Sequence, residues 1–354
     1  MKKIARSLLV TLALSFTFLN NAHAADAGNE NLTVKQGETE VQKYLKAQHL
    51  NYNINSQDYI NFLQSINEKA DEITKSGYNF SLMEVYSDTY LEELAKYVAQ
   101  EEKKDENGEV EVENFDLPKK VENESVKQVQ QENIKEDKQA EEKVEEIKEE
   151  SGQIPIDYMS STNSNSFFVT QLGSSYSRSA AKKYMVNNWD KKTSKYGYYG
   201  ESSGGGDCTN YASQVVLAGG MPMNTTGFSF NRGHHKTTKG WYNQSVPKSA
   251  ARTYSTSWTV VSDFYTYWAG TKKHKVYNLT SPKDVSKYVK TGDVIQMYSK
   301  SSKKWKHTAV IYDVYKGYPR YSAHSSAHLY AHLEKDWKSK YYKYRVIKFY
   351  KNMN

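Results

Sequence analysis

Cysteine is nearly absent: Cys208 is the lone thiol in 354 residues. That excludes an intramolecular disulfide framework and any thiolate-rich zinc or iron–sulfur site. Long apolar runs are missing too. After residue 24 no stretch of about 20 apolar residues occurs, so no membrane-spanning helix is expected there. Tryptophan is missing from the first 150 residues, and acidic side chains are scarce after them. Residues 151–354 carry 30 basic and 10 acidic groups, whereas 25–100 carry 6 and 12 and 101–150 carry 9 and 19. The net charge of +7 therefore conceals an acidic first part and a strongly basic second part. All six tryptophans and 23 of the 30 tyrosines fall in the second part, where a packed core and any ligand surface are expected. The length suits two domains at about 150 residues each.

The first 24 residues read as an address. Lys2, Lys3 and Arg6 form a basic start, Leu8 to Leu19 an apolar core of 12 residues, and Ala22-His23-Ala24 a small-residue cleavage site. This is the pattern of a secretory signal peptide, with a mature chain from Ala25. The apolar core is short for an uncleaved anchor, and no lipid-anchor cysteine follows it. A secreted, extracellular or wall-associated protein is expected.

Residues 25–100 predict a small helical region. Tyr59, Phe62, Leu63, Ile66, Ala70 and Ile73 recur at three- and four-residue steps, and Leu82, Val85, Tyr86, Leu91, Leu94 and Val98 continue the pattern beyond Gly77. Residues 101–153 turn to Glu, Lys, Gln and Asn with isolated Val and Ile. They read as a solvated linker, disordered or transiently helical. The alternative is an acidic arm folded back on the basic domain, residues 154–354, by an attraction that salt would weaken. The basic surface is electrostatically suited to nucleic acid, anionic lipid or anionic envelope polymers alike. Export and the lack of any nucleic-acid motif favour a wall polymer.

Ser203 to Pro222 is the most informative stretch. Gly204, Gly205 and Gly206 permit tight turning and close approach of a ligand. Asp207 suits a helix N-cap, while Gly219, Gly220 and Pro222 suit its end. Cys208 then falls in the first helical turn, where unpaired N–H groups and the helix dipole favour a thiolate and can hold an oxyanion. The competing reading is an inert, buried thiol. A cysteine nucleophile needs an imidazole within reach. Val294 to Tyr298 and Trp305 to Tyr315 predict two strands, with His307 near the start of the second. A turn at Lys316 to Pro319 leads into a third strand, Tyr321 to Ser325, which brings His307 opposite about His324 to Ser326. His324 is the candidate third member, orienting the imidazole of His307. Asp313 shares a face with His307 but lies about 20 Å along the strand. Asp207, Asn210, Trp241 and Trp258 are candidates for substrate contact. For the tryptophans, with Tyr242 and Trp268, the alternative is ordinary core.

Gly205-Gly206-Asp207-Cys208-Thr209-Asn210-Tyr211-Ala212-Ser213-Gln214, followed by Gly292-Asp293-Val294-Ile295-Gln296 and His307-Thr308-Ala309-Val310-Ile311, resembles the amidase domain family of exported bacterial proteins. That family is related to the papain-like CHAP and NlpC-type cell-wall hydrolases. Tyr176, Arg178, Ala180, Ala181, Tyr184 and Trp189 resemble its opening segment, and Ser257-Trp258-Thr259 and Tyr321 to Ser325 its later motifs. Tyr211 departs from the more usual phenylalanine. The resemblance covers about residues 175–345. It implies an α+β, papain-like domain whose cysteine-bearing helix packs on an antiparallel sheet that supplies the histidine. It implies amide hydrolysis by Cys208 with His307 as base, and peptidoglycan as substrate.

Three rivals stand beside this reading. His324, His328 and His332 recur at helical spacing and resemble metal ligands, but a strand at 321–325 would split them, and no metal or cofactor is expected. A non-catalytic wall-binding module would use the basic charge and aromatics alone. A transferase on the same fold would replace water with an amine.

Overall fold

The computed structural model describes residues 28–101, 112–150, 176–192, 195–199, 207–229, 231–246, 251–325, 327–337 and 341–350. The signal-peptide reading of 1–24 and the glycines at 204–206 lie outside them. Four helices open the described chain: α1 (Val34–Ala47), α2 (Gln57–Ser65), α3 (Ala70–Lys75) and α4 (Phe80–Glu101). Thr33 starts α1 with a reciprocal cap: its hydroxyl accepts from Gln36 N, while Gln36 Oε1 accepts from Thr33 N. The apolar stripe of Tyr59, Phe62, Leu63, Ile66, Ala70 and Ile73 is buried in one core with Leu82, Val85, Tyr86, Leu94 and Val98. Gly77, at φ 82°, provides the left-handed turn between α3 and α4.

That core does not end at residue 100. Phe115, Leu117, Val126 and Val129 close it. Within the segment expected to be a solvated linker, disordered or transiently helical, the described residues 126–150 form α5 (Val126–Glu150), the longest helix described. Ser125 and Gln128 cap its start reciprocally. Val126, Val129, Asn133, Asp137, Glu141 and Val144 follow at three- and four-residue steps and so share one face. The two valines at its start face the helical core, and Val144 at its end joins the second core. Between them, Asn133 donates to Ser302 O, Asp137 accepts from Trp305 N, and Glu141 accepts from Arg345. The stripe is largely polar because it meets main-chain groups at Ser302 and Trp305 and the Arg345 guanidinium, and composition alone therefore resembled a solvated run.

Asp137 carries a measurable consequence. Burial pushes its carboxyl up to about 6, against the lowering effect of the Trp305 N–H and Arg345. A carboxyl raised in the folded state favours folding when protonated, and that advantage is lost as pH rises from about 4 through 6. Asp137→Asn is expected to raise stability by about 1–2 kcal/mol at pH 8 and by much less at pH 4.5. Thermal melts at the two pH values check this.

The second part is built on a six-stranded antiparallel sheet of β4 (Val276–Leu279), β5 (Val294–Ser299), β6 (Trp305–Tyr315), β7 (Tyr318–Ala323), β8 (His328–His332) and β9 (Tyr341–Ile347), in the order β4-β9-β5-β6-β7-β8. A three-stranded sheet of β1 (Gly233–His235), β2 (Asn243–Ser245) and β3 (Arg252–Ser255) lies apart from it in the hydrogen-bonding pattern. The β6–β7 turn is shorter than expected: Lys316 and Gly317, both at positive φ, suffice, and Pro319 pairs with Val314 inside β7. Strand alternation divides the large sheet into two faces. Val294, Val310, Tyr312 and Ile347 face the core that holds Tyr211, Ala212, Val215 and Val216 of the cysteine helix. Ile295, Met297, Ala309 and Ile311 face a second core beneath the short helices at Pro282–Tyr288 and Leu333–Trp337.

Candidate active site

Two helices of the second part frame the site: α6 (Arg178–Asn188) and α7 (Cys208–Ala218). Cys208 opens α7, as the glycine–aspartate lead-in predicts, and is 6% exposed. Its thiol meets the backbone N–H of Thr308, the residue after His307. Thr209 Oγ1 lies 3.8 Å from the sulfur and donates to Thr308 Oγ1 at 3.0 Å. The start of the cysteine helix therefore touches the start of the histidine strand. Across the sheet His307 pairs with Met297 and Thr308 with Gln296. Alternation sets Thr308 on the α7 face in line with Val310, and His307, half-buried, in line with Ala309 and Ile311.

The thiol's environment differs from the expectation of a depressed pKa. Burial pushes Cys208 up; the Thr308 N–H and the Thr209 hydroxyl pull it down, and the Asp207 charge adds to the rise. The helix start favours a thiolate, but the loss of water opposes it more strongly.

Asp207 is not a side-chain cap of its helix. Its carboxylate is 1% exposed and is held by other donors: Tyr199 N at 3.0 Å and Asn210 Nδ2 at 2.7 Å on one oxygen, His324 Nδ1 at 2.7 Å on the other. The Asp207 N–H donates to Ser325 Oγ. His324 follows β7 and stacks on Tyr211 at 3.9 Å, and its Nε2 lies 2.9 Å from the carbonyl of Asn188 at the end of α6. The expected role of orienting His307 thus meets a different arrangement, with both ring nitrogens engaged by Asp207 and Asn188. Both partners carry acceptor oxygens.

The proposed substrate contacts are interior supports. Asn210 is fully buried, donates to Asp207 and Gly197 O, and accepts from Trp258 Nε1 at 2.7 Å. Trp241 Nε1 donates to Ser213 Oγ, which donates to Trp258 O. Trp241 and Trp258 are fully buried, with ring centroids 4.5 Å apart and planes tilted by 34°, so they form core. Their N–H groups lock α7 to the aromatic layer, because a buried indole N–H needs an acceptor. The Gly292-Asp293 pair is likewise structural. Asp293 is fully buried and receives Arg178, Lys348 and the N–H groups of Lys290 and Phe349, while Tyr176 donates to Gly292 O.

The histidine triplet does not form one helix face: His324 lies in a turn, and His328 and His332 lie in β8. His234 meets Thr259 Oγ1 and His235 meets Asn231 O, so the two have separate partners. Among the described residues no group of three or more His, Cys, Asp or Glu side chains is placed to hold a metal ion. No described helix is long and apolar enough to cross a membrane. Sequence reasoning missed Ser325, Thr308 and the Asp207–His324 pair. Only the placement of His324 in the late motif hinted at the pair.

Residues 175–347 match the family model described as "Putative amidase domain". The uncharacterized protein YhbB of Bacillus subtilis (strain 168) is 26% identical over 137 residues, covering 38% of this chain and 37% of that protein. The chain thus spans little more than a third of the length of this relative. No solved structure matches.

Proposed function

We propose that residues 175–347, a domain of that family, hydrolyse amide bonds with Cys208 as nucleophile and His307 as base, in a papain-like arrangement. The carrying observation is that the lone cysteine opens a helix and its thiol meets the main chain at Thr308, one residue from His307. His307 takes the thiol proton as sulfur attacks the carbonyl carbon; strand alternation aims its side chain to the face away from α7, so the imidazole has to reach sulfur around the strand start, where the β5–β6 register shifts. Backbone N–H groups at the start of α7 hold the oxyanion. His307 protonates the leaving amine, and water releases the acyl group from sulfur. The signal-like first 24 residues and the basic second part support an exported protein acting on peptidoglycan, cut between muramic acid and the first alanine or within the stem peptide.

Mass spectrometry of purified peptidoglycan incubated with the protein tests this reading beside Cys208→Ala. New fragments from the unaltered protein alone are expected, and their masses identify the bond. No fragments, with both proteins sedimenting with the wall, would replace hydrolysis by wall binding.

A further inference from the structure

Lys306, the residue before His307, does not point into solvent. Its ammonium lies 2.6 Å from Asp88 Oδ1 and 3.0 Å from Glu84 Oε1, both on α4. Glu84 is fully buried and Asp88 nearly so. The Asn67 amide completes the socket: the orientation that satisfies both neighbours turns its oxygen to Lys306 and its nitrogen to Glu84. The rest of the β5–β6 turn is gripped from the same side. Ser299 donates to Glu84, Ser302 to Asp88, and Lys304 to Glu92, while α5 holds the carbonyls of Ser301 and Ser302 through Gln130 and Asn133. The opposite flank is met as well: His328 Nε2, just beyond the turn that holds Ser325, lies 3.8 Å from Glu68 Oε1.

We infer that the acidic helical unit is a positioning element of the site: Glu84 and Asp88, through Lys306, fix where the strand start presents His307 to Cys208. This rests on the Cys208–His307 reading above. Burying one ammonium between two carboxylates is a poor way to gain stability, since apolar replacements are often as stable. A buried pair that fixes geometry beside a reacting group is a better use of it. Glu84, Asp88 and Lys306 touch no substrate, so they are positioning residues.

The test measures the rate of Cys208 alkylation by iodoacetamide against pH in the full chain, which needs no substrate. The variant is Glu84→Gln/Asp88→Asn/Lys306→Met, which leaves no unpaired charge in the socket. It removes one net negative charge, so its field alone would favour the thiolate and lower the midpoint. Loss of positioning acts in the opposite direction. The expected result is a folded variant whose midpoint rises, with alkylation at pH 7 about tenfold slower, as when a thiol loses its imidazole partner. His307→Ala should raise the midpoint likewise. Should the triple variant not fold, Glu84→Gln/Lys306→Met, neutral in net charge, is measured instead. A folded variant with an unchanged or lowered midpoint, while His307→Ala raises it, overturns this inference alone. An unchanged midpoint in His307→Ala overturns the Cys208–His307 reading and this inference with it.

Discussion

Cys208→Ala is expected to abolish amide hydrolysis, a loss of about a million-fold in kcat if its role matches that of other catalytic nucleophiles. No second thiol exists in the chain to substitute for it. The protein should still fold. The substitution deletes one sulfur and leaves the Thr308 N–H without the thiol, a cost of about 1 kcal/mol. Fragment release from peptidoglycan measures the first effect and a thermal melt the second. Activity in the variant above a thousandth of the original would assign the nucleophile elsewhere. The pH response has a definite sign. Burial and the Asp207 charge raise the thiol pKa, so the thiolate forms at higher, not lower, pH. Alkylation of the free protein should therefore keep rising above pH 8. A plateau reached by pH 6 would mean that the helix start and His307 outweigh burial.

Asp293→Ala is expected to be the most damaging change for stability, at about 3–5 kcal/mol, the usual cost of leaving a buried charge unpaired. For a domain of this size that corresponds to roughly 10 °C in Tm. Asp293 is fully buried, and its loss leaves Arg178 and Lys348 facing each other and the N–H groups of Lys290 and Phe349 without an acceptor. Burial already lowers the Lys348 pKa, and Asp293 opposes that. Without Asp293 the ammonium is held lower still. A lysine lowered on folding penalises the folded state while it must stay charged, so the variant should recover stability as pH rises from 7 towards 10. Urea titrations at pH 6 and pH 9.5 separate the outcomes: equal losses at both would mean that Lys348 does not carry the penalty. Asp293→Asn keeps an acceptor and should lose less.

Much of the site's outline was readable in short patterns. The glycine–aspartate–cysteine lead-in predicts a helix start at Cys208, and Val294 to Tyr298 and Trp305 to Tyr315 predict strands; the helix and both strands are present. The β6–β7 register runs Val310 with Ser322 and Ile311 with Tyr321, and β7 ends at Ala323, short of the stretch expected opposite His307. These features are local. They depend on capping, alternation and turn chemistry within about ten residues, all of which the chain spells out.

What short patterns did not reveal depends on partners far along the chain. Asp207 looked like a helix cap, yet His324, 117 residues away, and Tyr199 draw its carboxylate inward. Trp241 and Trp258 looked available for a ligand, but Asn210 and Ser213 on α7 take their N–H groups and seal them in the core. Residues 126–150 looked solvated because their helical stripe is polar. That helix is held by Ser302, Trp305 and Arg345, roughly 170 to 200 residues later.

By itself, the sequence determined that the lone thiol opens a helix and that His307 lies on a strand. Residue type and local spacing are enough to set that. Only the tertiary structure decided which charges are buried and against what. Desolvation and ion pairing act through space, and the acidic helices sit against the histidine strand because its lysines need carboxylates once water is gone.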